Sequence, residues 1–265
     1  RKINQRKVFM GKVKIIVITL VALIGISSNA YAKVALLQPD DFVGFTFWLV
    51  SIACLAATAF FFLEHGSVAP AWKSSIAVAG IVTGIAFIHS MYMRNIWVGT
   101  GDSPTVYRYI DWLITMPLLA TEFYLILSTF RKVSSIIFWK LLIGTLVMVL
   151  GGYAGEAGYI LPFLGFIIWM AGWLYILYEI FTGEAGKLCA KSVNKAMVKA
   201  FEIMRMILTI GWAIYPLGYV FGYLTGGIDS NTLNVIYNFA DFINKIAFGL
   251  VIWVAATANT SGSER

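Results

Sequence analysis

Cysteine, histidine and charge are all scarce in this sequence. Of its 265 residues two are Cys, two are His and only 12% are charged. A soluble domain carries about 25% charged residues, so a soluble globular fold is excluded. Two cysteines cannot build a disulfide framework. Cys54 falls inside an apolar run and Cys189 sits in what reads as a basic loop, so the two are not expected to meet. No Cys/His cluster has the spacing of a metal site, and no metal is expected. A glycine-rich phosphate loop is also missing, which leaves a nucleotide-driven mechanism without support. The formal charge of +7 is misleading. Arg1, Lys2, Arg6, Lys7, Lys12 and Lys14 lie in residues 1–32, which contain no acid. The remainder is close to neutral, so nucleic-acid binding has no electrostatic basis.

What the chain has in abundance is apolar length, at 60% hydrophobic residues. Residues 1–32 read as a secretory signal peptide. Basic residues precede a short apolar core over 15–26, and Ala30, Tyr31 and Ala32 fit the small-x-small cleavage pattern. Met10 is a plausible start, which would make 1–9 upstream read-through; an uncleaved surface segment is the plainer alternative. The rest, 33–265, reads as a single all-α membrane domain. Seven runs have the length a bilayer requires, at about 40–64, 72–97, 105–130, 134–155, 159–182, 196–224 and 231–258. The turns between them are short and rich in Gly, Pro, Ser and Asn. Arg131, Lys132, Lys140, Lys187, Lys191, Lys195, Lys199 and Arg205 gather at one side. Positive-inside then puts the N-terminus outside and the C-terminus in the cytoplasm, as a cleaved signal would.

Span three carries the polar groups around which the chain is organised. Asp111 follows Arg108 by three residues, Thr115 follows Asp111 by four, and Glu122 follows Asp111 by eleven. Eleven residues return to within about 20° of the starting face of a helix and rise roughly 16 Å. The four groups therefore form one stripe through half a bilayer. Ionisable residues at such depth are costly and point to function, here to stations on a proton path. A structural Arg108–Asp111 pair with a solvated Glu122 is the plainer reading of each group by itself. Span seven adds Tyr237, Asp241 and Lys245, four apart on one face. A neutral lysine amine condenses with aldehydes to Schiff bases, and a carboxylate one turn away would balance the cation formed on protonation. Lys245 serving only to pair with Asp241 is the alternative. Span six places Trp212 and Tyr215 on one face beside Pro216, which removes a backbone hydrogen bond. Span five offers Trp173 with Tyr175 and Tyr178, and span three Trp112, enough flat surface to enclose a long conjugated ligand. His89 lies mid-helix in span two at a depth comparable with Asp111.

With seven spans, the segments RYIDWLITMPLL, GWAIYPLGY and YNFADFINKIAFG resemble the microbial rhodopsins, and among these the green-absorbing proteorhodopsins, from about Asp41 to Thr257. The resemblance implies a light-driven outward proton pump of the bacterial plasma membrane, an ion transporter and not an enzyme. It implies all-trans retinal bound at Lys245 as a protonated Schiff base. Asp111 is then the primary counter-ion and proton acceptor, Asp241 the second counter-ion and Glu122 the cytoplasmic proton donor. Thr115 supports Asp111, Arg108 lies on its exit side, and His89 pairs with it. Trp112, Trp173, Trp212 and Tyr215 match the retinal box. Leu119 matches the position where leucine accompanies green absorption and glutamine blue. Trp48 matches a residue near the histidine across a subunit contact, which implies a homo-oligomeric ring, pentamer or hexamer, in lipid. Glu156 matches an outer-side glutamate without an assigned role. The Asp–Thr–Glu triplet differs from the Asn–Asp–Gln of sodium pumps and from the neutral acceptor position of chloride pumps. A sensory photoreceptor signalling through a membrane partner is the second reading. Glu122 stands against it, since sensory members usually lack that carboxylate. A non-photochemical seven-helix transporter or receptor is the third.

Overall fold

The structure is a computed structural model that describes residues 36–129 and 131–262. The signal peptide expected over 1–32 lies outside the described residues. The described residues form helices and turns without strands. Among the described residues, seven helical segments are long and apolar enough to cross a membrane. Span one is α1 (Phe42–Glu64). Span two is a 3₁₀ turn, Pro70–Trp72, continued by α2 (Lys73–Thr100). Spans three and four are α3 (Thr105–Ser128) and α4 (Ser135–Glu156). Span five is α5 (Pro162–Phe181), followed by the short α6 (Glu184–Ala190). Span six is α7 (Lys195–Met206) and α8 (Ile214–Tyr219), each followed by a wide turn of π type, at Ile207–Gly211 and Val220–Leu224. Span seven is α9 (Ser230–Gly262). The ends fall within a few residues of those expected from the sequence. Two differences stand out. Span six is broken, not merely bent, and Cys189 is buried on α6 instead of lying in a loop.

Helix ends are closed by local chemistry. The Asp41 carboxylate accepts the Gly44 N–H at 2.8 Å, and Asn194 accepts from Met197 N at 2.9 Å. Both satisfy donors that a helix start leaves free. Asp229 accepts the Thr232 N–H at 2.7 Å ahead of α9, and this bond holds its carboxyl below the usual carboxylate range. Gly101 ends α2 at φ +74°, a conformation that disfavours a side chain.

Large apolar side chains such as Ile88, Trp139, Leu150, Phe163 and Val254 are exposed on the outside of the bundle. Its interior buries Arg108, Asp111, Thr115, Glu122, Asp241 and Lys245. That distribution suits lipid outside and paired charge within. Spans four and five approach closest through glycine. A Cβ on Gly165 would sit 2.6 Å from the Gly155 Cα, and one on Gly172 would sit 2.6 Å from the Met148 nitrogen. Backbones close to this degree through small residues when no hydrophobic force drives helices together in lipid. At the lysine-rich end, Lys140 pairs with Glu179 at 3.3 Å, and Glu179 accepts the Ala185 N–H at 3.0 Å, which joins α4, α5 and α6. At the same end the 3₁₀ turn is tied to α9 by Trp72 Nε1 donating to Asn259 at 3.3 Å and Ala69 N donating to Thr260 at 2.9 Å.

Candidate functional site

The site lies where α3 and α9 face one another in mid-bundle. Lys245 Nζ donates to Asp111 Oδ2 and, at 3.2 Å, to Asp241 Oδ2. All three residues are 2% exposed or less. One ammonium between two carboxylates leaves a buried cluster of negative excess, and the Asp241 carboxylate is held by further donors. Tyr215 OH donates to Asp241 Oδ1 at 2.7 Å and Trp112 Nε1 to the same oxygen at 3.1 Å. Asp111 Oδ1 is buried without a hydrogen-bond partner among the described residues. The helical register explains the meeting: Asp241 and Lys245 are one turn apart on α9, and both face the turn of α3 that carries Asp111.

Toward the Asp41 end lies a second polar layer. Arg108 Nη2 donates to Asn234 Oδ1 at 2.9 Å and to Asn238 Oδ1 at 3.0 Å. Asn238 in turn donates to Thr46 at 2.9 Å. The guanidinium lies 5.4 Å from the Phe47 ring centre and 5.5 Å from that of Tyr237. Arg108 is thus fixed by amides and aromatic faces and makes no direct ion pair with Asp111. Glu156, the last residue of α4, joins this layer, accepting from Tyr237 OH at 3.3 Å. On the opposite side of Lys245, toward the lysine-rich end, Glu122 is 1% exposed. It lies beside Ser75, with neither carboxyl oxygen in a well-formed hydrogen bond.

Trp112, Leu119, Trp212 and Tyr215 are all buried. Trp112 packs edge-on against Tyr215 at 4.9 Å and against Tyr237 at 5.3 Å. Trp173 is half-buried and donates its Nε1 to the Leu208 carbonyl at 3.2 Å. Several expectations need correction. Tyr175 and Tyr178 are exposed on the outer face of α5 and do not line the site. The buried aromatic of that span is Trp169, 6.3 Å from Trp112. Thr115, expected to support Asp111, donates its Oγ1 to the Asp111 backbone carbonyl at 2.9 Å, since a threonine in a helix reaches back one turn. His89 is half-buried, and its Nδ1 meets the Tyr107 carbonyl at 3.3 Å, so the pairing with Asp111 is not made as a hydrogen bond among the described residues. Trp48 is 39% exposed on the bundle surface, with Arg94 over its ring at 5.4 Å.

Sequence reasoning passed over Asn234 and Asn238. Their spacing was a usable signal, since 234, 238, 241 and 245 recur by four, three and four on one helical face. Asn244 was also passed over. Its amide donates to the Gly211 carbonyl at 3.0 Å and to Tyr215 OH at 3.4 Å.

The chain is similar to known proteins. The family model described as Bacteriorhodopsin-like protein matches residues 41–259. A blue-light absorbing proteorhodopsin of Gamma-proteobacterium Hot 75m4 is 52% identical over 86% of this chain and 91% of its own length. A green-light absorbing proteorhodopsin of Gamma-proteobacterium EBAC31A08 is 51% identical over the same shares. The crystal structure of a blue light-absorbing proteorhodopsin from Med12 is 49% identical, covers 83% of this chain and 100% of that one, and superposes with a TM-score of 0.73. With its seven spans, the chain is a multi-pass bacterial membrane protein, and it belongs to the bacteriorhodopsin-like family, the microbial rhodopsins.

Proposed function

We propose that the protein is a light-driven pump that carries protons outward, with all-trans retinal on Lys245. The observation that carries this reading is the Lys245 ammonium set between Asp111 and Asp241, with Glu122 buried on the same stripe of α3, eleven residues further along. The relatives are named for absorbing blue or green light. The residues fit the chromophore. A buried amine stands beside two carboxylates, one with an unpartnered oxygen, among Trp112, Trp212 and Tyr215. Retinal joined to Lys245 Nζ as a protonated Schiff base supplies light absorption and an isomerisation that re-aims the N–H bond.

The chain's own groups do the rest. Asp111 accepts the proton from the Lys245 nitrogen once the geometry of the pair is broken, because two opposite charges held apart in a low-dielectric site gain by neutralising each other. Asp241 keeps its bonds to Tyr215 and Trp112 and remains the fixed counter-charge. Glu122, buried on the other side, returns a proton to the nitrogen and refills from the lysine-rich end. With that end in the cytoplasm, each cycle moves one proton outward and stores about 2.3 kcal/mol against 100 mV. The Arg108–Asn234–Asn238 layer lies on the exit side. Buried Leu119 favours green absorption. Trp48, exposed on α1, is offered to a neighbouring subunit of a ring.

Illumination of an unbuffered bacterial suspension expressing the chain with retinal tests the reading. Acidification of the medium that a protonophore abolishes is expected. Coloured cells without a pH change across neutral and alkaline media would favour the sensory alternative, and alkalinisation would reverse the assigned direction.

A further inference from the structure

Span six is broken in a way that leaves two carbonyls to be satisfied from outside. Pro216 has no N–H to give the Trp212 carbonyl, and Tyr215 N takes that acceptor instead, at 3.2 Å. The Gly211 carbonyl thereby loses the donor that a regular helix would supply. Trp212 N reaches back five residues to Ile207 O at 3.3 Å, which frees the Leu208 carbonyl as well. Neighbouring spans repair both losses. Trp173 of α5 donates to Leu208 O, and Asn244 of α9 donates to Gly211 O at 3.0 Å. Breaks of this kind in membrane helices persist where the freed groups are satisfied again, here by side chains of neighbouring spans, and π-type turns gather at functional sites. The fit at Asn244 is close: a Cβ on Gly211 would collide with Asn244 Oδ1.

Asn244 has a second attachment. Its amide also donates to Tyr215 OH at 3.4 Å, Tyr215 OH donates to Asp241 Oδ1 at 2.7 Å, and Asp241 Oδ2 accepts from Lys245. An unbroken run of hydrogen bonds therefore joins the Lys245 nitrogen to the break in span six. Asn244 is 1% exposed, so bulk solvent does not reach these bonds. We propose that Asn244 is a positioning residue that ties the break in span six to the protonation state of the Lys245 nitrogen. The inference rests on the proton-pump reading and deepens it. While the nitrogen is charged, it shares the Asp241 carboxylate with Tyr215, and Asn244 holds Gly211. When the nitrogen gives its proton to Asp111, Asp241 is left as an anion without a cation. It then draws the Tyr215 hydroxyl more strongly, since hydrogen bonds to a charged partner are the stronger ones. The polarised phenol becomes a better acceptor and draws the Asn244 amide off the Gly211 carbonyl. Span six is released at its π-type turn, and the half of the bundle that holds Glu122 opens for reprotonation.

The order of events fixes the test, which follows by flash photolysis the state whose Lys245 nitrogen has lost its proton, in the full chain with retinal in lipid bilayers. Asn244→Leu cuts the latch and should shorten the decay of that state at least threefold, with its rise unchanged within twofold. Tyr215→Phe removes the pull and should lengthen the decay at least threefold. The double variant should decay like Asn244→Leu, because Asn244 acts after Tyr215. Gly211→Ala displaces the amide without removing it and should match Asn244→Leu, which keeps the test available if the latter forms no pigment. An unchanged decay in Asn244→Leu and Gly211→Ala, a double variant that multiplies the two single effects, or a rise altered as much as the decay would overturn the inference, the last two marking a merely structural role. If illumination never deprotonates the nitrogen in the unaltered chain, the pump reading fails and this inference with it.

Discussion

At the scale of single residues, the chemistry concentrates in side chains that are costly to bury alone. Asp111, Asp241 and Lys245 were legible in the sequence because charge inside an apolar span has few structural reasons to exist. Their spacing on two helices then implied a meeting that the structure contains. Asn234, Asn238 and Asn244 were less legible because an amide in a span carries no charge and stands out only by register. Thr115 does meet Asp111, through its backbone carbonyl, whereas His89 meets the Tyr107 carbonyl and makes no hydrogen bond to Asp111 among the described residues. Glu122 gives the sharpest prediction at this scale. It is buried with no charged partner among the described residues, as a group that stores a proton should be. Glu122→Gln keeps the shape and removes the proton. Flash photolysis at neutral pH should show reprotonation of the Lys245 nitrogen slowed roughly 100-fold, the lower range of what a positioned acid contributes, and added azide, a small diffusible acid, should restore much of the rate. Unchanged decay would remove Glu122 from the donor role. Lys245→Ala should yield no visible pigment with retinal, and a coloured variant would sink the assignment of the attachment site.

At the scale of elements, hydropathy located all seven spans within a few residues of their ends, since crossing a bilayer demands a continuous apolar length. It did not say which face of each span turns inward. In lipid the outward face is as apolar as the inward one, so aromatic spacing on span five pointed to Tyr175 and Tyr178 when the buried ring is Trp169. Pro216 announced a distortion in span six, but not that two turns would widen around α8, because that depends on donors supplied by other helices. The glycines of spans four and five could be seen in the sequence, although their pairing could not. With a Gly165 Cβ placed 2.6 Å from the Gly155 Cα and 2.9 Å from the Gly151 carbonyl oxygen, neither neighbour can move without shifting a helix. Gly165→Ala should therefore destabilise the bundle by about 1–3 kcal/mol, the usual cost of overpacking. Loss of visible colour on heating in detergent measures it, and a midpoint equal to that of the unaltered protein would show that the two helices separate freely.

At the scale of the whole molecule, the proposed direction of transport is a matter of which carboxylate stands on which side of Lys245. Asp111 and the Arg108 layer lie toward the Asp41 end, while Glu122 lies toward the end rich in lysine. On the proposed reading, outward transport depends on the charge of Asp111, because only an ionised carboxylate can take a proton. The sign follows directly. Pumping should be present where Asp111 is ionised and should disappear as the medium is acidified through its titration. The same protonation removes a negative charge from beside the Lys245 nitrogen, which had stabilised the resting cation, so the absorption maximum should move to longer wavelength. Acidification under light and absorption maximum, measured on one preparation in vesicles across pH, should therefore share a midpoint. His89 lies within electrostatic reach of Asp111. Its replacement by Ala should displace both midpoints together, although the imidazole makes no direct hydrogen bond to the carboxylate. A colour transition that leaves pumping intact would mean that the group titrating beside the chromophore is not the group that receives the proton. The acceptor would then have to be sought in Asp241, the other carboxylate bonded to Lys245.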